Sequence, residues 1–396
     1  MIQLKGKYNE AIIFSDKPEY KCFDQIKEML DCEPFKDFKI RIMPDYHAGA
    51  GCVIGFTASN PTNIVPNIIG VDIGCGVRAI NLGKEINIDL RELDSIIRDY
   101  IPSGFDVWNH PCHKKEVNDV IDRLICLEHL KNVERLRSSC GTLGGGNHFI
   151  ELNYSDMSGY WLVIHTGSRN LGKQVAEHYQ DIARKDVGGV KEKLKRALPY
   201  LFPEEREDFI KQAKESMKVP RGLEFLSNEG QIDYLRDMEL CQIFALYNRA
   251  MIGNIITGML KLRPHEIIES VHNYYDFDKR IIRKGAIAAY KDMKCIIPMN
   301  MRDGSLICVG KGNPEWNYSA PHGAGRILSR SAAKSSFTLE EYQEQMKGVF
   351  STSVDIHTID ECPMAYKPME EIVSHIGDTV EIIDIIKPVY NFKASS

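Results

Sequence analysis

The run Asn67-Ile68-Ile69-Gly70-Val71-Asp72-Ile73-Gly74-Cys75-Gly76-Val77-Arg78-Ala79-Ile80-Asn81-Leu82 reads as a β-type stretch punctuated by glycine. It carries a carboxylate, Asp72, and a thiol, Cys75, three positions apart in its turn. Upstream, Lys39 to Met43 and Gly51 to Thr57 have the same character. Downstream come Phe149 to Leu152 and Tyr160 to His165, then Glu266 to Tyr274, Ile281 to Tyr290 and Ser305 to Val309. Asn87-Ile88-Asp89 predicts a cap for a helix over Leu90 to Tyr100, and a second helix is expected between Lys114 and Lys131. From Lys173 to about Arg263 the pattern is helical, with a break at Val219-Pro220-Arg221-Gly222 before a longer helix near Gln231 to Leu262. The expectation is an α+β fold, a β-rich body interrupted by a helical insertion at about 173–263. Glycine-rich motifs lie on both sides of that insertion, which argues for one discontinuous site in one domain.

The composition is that of an ordinary globular protein, 43% hydrophobic and 27% charged over 396 residues. With 50 Lys+Arg against 55 Asp+Glu, it excludes a general nucleic-acid-coating protein, so any such site must be a local patch. No run approaches the roughly 18 apolar residues of a membrane helix, and Met1-Ile2-Gln3-Leu4-Lys5 lacks the apolar core of an export signal. The 11 cysteines form no C-x-x-C pair and read as reduced thiols. The expected compartment is the cytoplasm, with no membrane partner.

Four motifs carry candidate chemistry. Gly167-Ser168-Arg169-Asn170-Leu171-Gly172-Lys173 satisfies the phosphate-loop pattern, but Gln174 stands where Ser or Thr must bind Mg²⁺. It is set aside as a nucleotide loop, although backbone N–H groups at a helix start can still hold an anion. Asp72, Cys75, His148, His165 and His272 lie at the ends of apolar runs, where side chains can converge on one rim of a sheet. Singly, each has a plain reading, since free Cys is usually core and a lone His often ends a strand. Together, a thiolate, imidazoles and a carboxylate suit a transition metal.

Third, Ala320-Pro321-His322-Gly323-Ala324-Gly325-Arg326 fixes a histidine in a backbone that can approach a ligand closely, as a nucleophile or acid/base. Read alone it is equally a surface turn. Fourth, Met43-Pro44-Asp45-Tyr46-His47-Ala48-Gly49 offers an acid and a histidine in a tight loop. Ile54 occupies the last glycine position of a dinucleotide fingerprint, which excludes that reading.

Taken in order with Gly144-Gly145-Gly146-Asn147-His148-Phe149 and His165-x-Gly167-Ser168-Arg169, these motifs resemble the RtcB family of RNA ligases from about residue 40 onward. Singly they are weak; five in order are specific. The resemblance implies one RtcB-type ligase domain over 1–396 with a central cleft. It implies joining of RNA 3′-phosphate or 2′,3′-cyclic phosphate ends to 5′-hydroxyl ends with GTP and two Mn²⁺, in tRNA splicing or RNA repair, with room for an activating protein. By the same resemblance, Asp72, Cys75 and His148 hold one ion, and Cys75, His165 and His272 the other. His322 takes GMP, and Arg169 holds RNA or phosphate. The GTP site draws on Asn147, His148, Phe149, Ile150, Glu151, His272, Asn273, Pro298, Met299, Asn300, Met301, Ser305, His322, Gly323, Ala324, Gly325 and Lys393.

The chain departs from the family at Asn300 and Arg302-Asp303, and in ending Lys393-Ala394-Ser395-Ser396 where Lys-Gly is usual. Manganese itself comes from the resemblance, because intrinsic affinity of such ligands favours zinc. Two other functions compete: a dinuclear metal phosphoesterase, which needs the ligands but not His322, and a non-catalytic RNA-end-binding regulator, which needs neither.

Overall fold

In the strand that follows Cys75, Val77 and Ala79 enter one apolar cluster while Ile80 and Leu82 enter another, as a period of two requires of a sheet buried on both faces. The computed structural model describes residues 1–394. Its first strands are β1 (Ile2–Lys5), β2 (Glu10–Ile13), β3 (Lys39–His47), β4 (Ile54–Ser59), β5 (Gly76–Gly83), β6 (Phe149–Ser155) and β7 (Gly159–Thr166). Then come β8 (Glu266–Val271), β9 (Asn273–Asp276), β10 (Ile281–Lys284) and β11 (Ala286–Ala288). The last are β12 (Lys294–Asn300), β13 (Gly304–Gly310), β14 (Ser319–Pro321) and β15 (Val380–Phe392).

A seven-stranded sheet runs β12-β13-β15-β6-β7-β5-β8, every neighbouring pair antiparallel. Its two edges come together where the Ile296 N–H on β12 donates to Ser270 Oγ on β8 (2.9 Å), so the sheet curls almost closed. Val77, Ala79, Phe149, Trp161, Val163, Ile268, Ile296, Ile307 and Ile386 pack together as one cluster. A six-stranded sheet, β1-β2-β3-β4-β10-β9, lies beside it, and β11 pairs with β14. The fold is α+β, as expected.

The helices Arg169–Lys185, Val190–Ala197, Pro203–Ser216 and Asn228–Met259 occupy the stretch between β7 and β8, both of which pair with β5. The expected break at Val219–Gly222 falls between the third and fourth of them. The helix Leu90–Tyr100 forms where expected, with Asp89 Oδ1 accepting from the Arg91 N–H (2.8 Å).

Other expectations need correction. The helix expected between Lys114 and Lys131 is there, as Lys115–Asp122, and ends well short of Lys131. Beyond it the buried Asp237 carboxylate accepts from the N–H groups of Ile125 (2.8 Å) and Cys126 (3.0 Å), and this tertiary contact replaces helical bonding. Asn67–Leu82 is a strand only from Gly76; before that the chain turns, the Gly74 N–H donating to Asn273 O (2.7 Å). Two expected strands also divide. Glu266–Tyr274 changes sheet at His272, and Ile281–Tyr290 changes sheet at Gly285, whose N–H donates to His272 O (2.7 Å).

Candidate active site

Because the neighbouring strands are antiparallel, the starts of β5, β6 and β13 and the ends of β7, β8, β12 and β15 share one rim of the curled sheet. Cys75 directly precedes β5, His148 directly precedes β6, His165 lies one residue from the end of β7, and His272 directly follows β8. Strand order alone therefore gathers four residues separated by nearly 200 positions. Cys75 Sγ lies 3.3 Å from His165 Nε2 and 3.5 Å from His148 Nε2. His148 Nε2 is 3.0 Å from Asp72 Oδ2, and His165 Nε2 is 3.4 Å from His272 Nε2. Asp72, Cys75 and His148 form one potential metal-holding group; Cys75, His165 and His272 form another, with Cys75 common to both.

Neighbouring groups fix how these side chains face. The Nδ1 of His148 is 2.9 Å from Leu143 O, and that of His165 is 3.1 Å from Asn147 O. A carbonyl only accepts, so both protons sit on Nδ1 and both Nε2 lone pairs face Cys75. Burial, and then neighbouring imidazoles, hold His165 and His272 well below the ordinary histidine range. Burial, with Asp72 beside it, pushes the Cys75 thiol well up. Within the cluster, the buried atoms Asp72 Oδ1 and His272 Nδ1 have no hydrogen-bond partner. This soft and borderline donor set fits a transition metal.

Two glycines make room for the cluster. A Cβ on Gly167 would fall 2.3 Å from Asp72 Oδ1, and one on Gly144 would fall 1.7 Å from Arg169 Nη1. Sequence reasoning missed the support underneath, supplied by Asn248 and Arg249 on the helix Asn228–Met259. Asn248 Oδ1 accepts from the N–H groups of Gly141 (2.7 Å) and Thr142 (2.9 Å), and its Nδ2 donates to Gly167 O (2.9 Å). Arg249 Nη1 donates to Gly74 O (2.8 Å) and Thr166 O (2.9 Å), while its Nε donates to Glu269 (2.9 Å). The available signal was a polar pair set in the apolar helix run Ile243 to Ile256.

His322 stands next to the cluster, its ring centroid 4.8 Å from that of His272. Its Nδ1 is 2.6 Å from Oδ2 of the fully buried Asp45, which also accepts from the His322 backbone N–H (3.1 Å). Donation from Nδ1 to this carboxylate leaves the Nε2 lone pair free. The sequence showed Asp45 only as a neighbour of His47.

Two cavities flank these residues. The first, about 750 Å³, is lined by His165 and His322, and also by Asn147, Phe149, Glu151, Pro298, Met299, Asn300, Met301, Gly323, Ala324, Gly325 and Lys393. His148, Ile150, His272, Asn273 and Ser305 are not in its lining. Ile150 points into an apolar cluster, and Asn273 Oδ1 instead accepts from the Gly285 N–H (3.0 Å). In the altered loop, Asn300 Oδ1 accepts from the N–H groups of Arg302 (3.0 Å) and Asp303 (2.9 Å). Burial pushes Glu151 up to about 7 against hydrogen bonds from Asn391 and Asn153. Lys393 Nζ is 2.8 Å from Glu361 Oε2; burial opposes that carboxylate's charge, yet Lys393, Arg330 and Arg326 hold it down at about 2.

The second cavity, about 450 Å³, is lined by Asp72 and Arg169 among others. Arg169 opens the helix after Ser168, whose Oγ donates to Ile73 O (2.5 Å), so the turn resembling a phosphate loop is a packing joint for the Asp72 loop.

A thiol common to two potential metal-holding groups stands beside a carboxylate-oriented histidine and a cavity of about 750 Å³, the parts that a metal-assisted group transfer would use. The tRNA-splicing ligase RtcB family model matches residues 28–127 and 125–394, and the chain belongs to that family of RNA ligases. It is 29% identical to the RNA-splicing ligase RtcB of Escherichia coli K12 over 90% of both chains. It is 28% identical to the tRNA-splicing ligase RtcB of Aeropyrum pernix, over 88% of this chain and 86% of that one. An RNA-splicing ligase RtcB homolog from Entamoeba dispar is 26% identical over 89% of this chain.

Proposed function

We propose that this RNA ligase joins a 3′-phosphate end, or a 2′,3′-cyclic phosphate end once opened by water, to a 5′-hydroxyl end through a histidine–GMP intermediate on His322. The observation that carries the reading is His322 held by Asp45 (2.6 Å) at the edge of the Cys75 cluster. In this reading Asp72, Cys75 and His148 hold one Mn²⁺, and Cys75, His165 and His272 the second. When bound, the ions neutralise phosphate charge and align the reacting oxygens.

His322 Nε2 attacks the α-phosphorus of GTP, a nitrogen–phosphorus bond forms, and pyrophosphate leaves. An oxygen of the RNA 3′-phosphate then takes the GMP and His322 is released. Finally the 5′-hydroxyl attacks the activated phosphate and GMP departs. Asp45 keeps the Nδ1 proton in place throughout, so Nε2 begins as a lone pair and returns to one. Glu151 in the cavity supports GTP over ATP, because a carboxylate accepts from guanine N1–H and its 2-amino group, whereas adenine offers no such pair. Lys393 and the loop Pro298–Met301 complete the nucleotide site, and Arg169 faces RNA from the other cavity.

Residues 1–396 act as one ligase unit with the helical stretch as an insertion, supported by the buried Asn248 and Arg249 contacts. Eleven free, buried cysteines support the cytoplasmic placement, and no helix among the described residues is long and apolar enough to cross a membrane. Incubation with labelled GTP and Mn²⁺ tests the whole reading. Covalent label supports the ligase, released phosphate a phosphoesterase, and neither a binding regulator.

A further inference from the structure

An exposed phenylalanine is unremarkable by itself, but Phe105 is 83% exposed on a loop whose backbone is held from several sides. The Gly104 N–H donates to Gly144 O (2.9 Å), and Gly104 O accepts from Arg169 Nη2 (2.9 Å). Phe105 O accepts from Arg135, and the Asp106 N–H donates to Ser103 O (3.0 Å). The backbone is pinned while the ring stands in water at the second cavity. The two arginines that pin it also line that cavity, together with Lys173 and the Asp72 carboxylate of the metal-type cluster.

We propose that Phe105 is a stacking platform for the nucleobase next to the reacting end of an RNA strand, with Arg135 and Lys173 against its phosphodiester backbone. This rests on the reading that the chain seals RNA. Three cations of one cavity suit a polyanion, and a free aromatic face suits a base regardless of its identity. The cavity reaches the cluster through Asp72, so a base on Phe105 lies at the end of the strand rather than along it. The overall charge of −5 agrees with recognition confined to such a patch.

The test uses two six-nucleotide single-stranded RNAs with 2-aminopurine, whose fluorescence reports stacking, as the last base. One ends in a 3′-phosphate and carries the probe there; the other carries it beside a 5′-hydroxyl. With the full-length protein, quenching of the first assigns Phe105 to the 3′ end, and quenching of the second to the 5′ end. Phe105→Ala should abolish the quenching and weaken binding about tenfold, and Phe105→Trp should restore both. In the unsubstituted protein, an abasic terminal residue should cost the same tenfold, and in Phe105→Ala it should cost nothing further. Absence of quenching in both RNAs, or equal affinity of Phe105→Ala, overturns the proposal. Covalent GMP on the unsubstituted protein, measured separately, decides the ligase reading, so the two failures are distinguishable.

Discussion

The two cavities that meet at the Cys75 cluster are built on opposite plans. In the first, charge is buried and already neutralised: Glu361 sits among Lys393, Arg326 and Arg330, and Asp45 grips His322. In the second, Arg135 and Lys173 are exposed, and an aromatic ring has nothing against it. Buried, mutually satisfied polar groups demand one geometry and suit a small molecule of fixed shape. Exposed cations on long side chains adapt and act at a distance set by salt, as a polymer end requires. The contrast teaches that the two sides of one cluster can be built differently when a glycine-rich loop stands between them, Asn147 lining the first cavity and Gly145 and Gly146 the second.

The largest expected effect falls in the first cavity. His322→Ala should reduce covalent labelling from GTP by about three orders of magnitude or more, while Mn²⁺ binding persists. The variant should still seal RNA that already carries a 3′-guanylate cap, which needs no protein–GMP bond. Labelled His322→Ala protein would overturn the assignment of the nucleophile. Next, Cys75→Ala should abolish stoichiometric Mn²⁺ uptake in calorimetry, because this thiol belongs to both ligand groups. Two ions bound with unchanged affinity would mean that the cavities do not share a centre.

A third prediction concerns pH in the first cavity. Glu151 has a folded-state value of about 7, above the ordinary 4.5, so folding favours its protonated form. Its contribution to stability is fully present below about 4.5 and lost as the pH rises through about 7. Glu151→Gln should remove that slope, gaining as much as about 3 kcal/mol over the native chain by pH 8 in urea unfolding. Parallel stability curves for the two proteins between pH 5 and 8 would refute a carboxyl group whose ionisation burial opposes. The smallest effect belongs to the second cavity. Arg169→Ala should weaken RNA binding about tenfold, the loss of one charge-assisted phosphate contact, and largely spare guanylylation. Equal loss of both would place Arg169 on the nucleotide side and erase the distinction between cavities.

The sequence by itself determined which side chains of ligand type come together. Asp72, Cys75, His148, His165 and His272 were legible because ligand types at the ends of apolar runs form a local pattern, and strand order carried them to one rim. The Asp89-capped helix and the break at Val219–Gly222 were legible for the same local reason. Tertiary structure alone decided the partnerships. Asp45 meets His322 across 277 residues, and Asn248 and Arg249 brace the ligand loops from a helix far along the chain. The 13-residue strand β15, inside the larger sheet, carries Pro388, a residue that argues against an interior strand. A register shift between Pro388 and Tyr390 accommodates it. Hydrogen bonds between distant segments leave no periodicity in either one, so neither His322's orientation nor the division into two cavities could be read before the chain was folded.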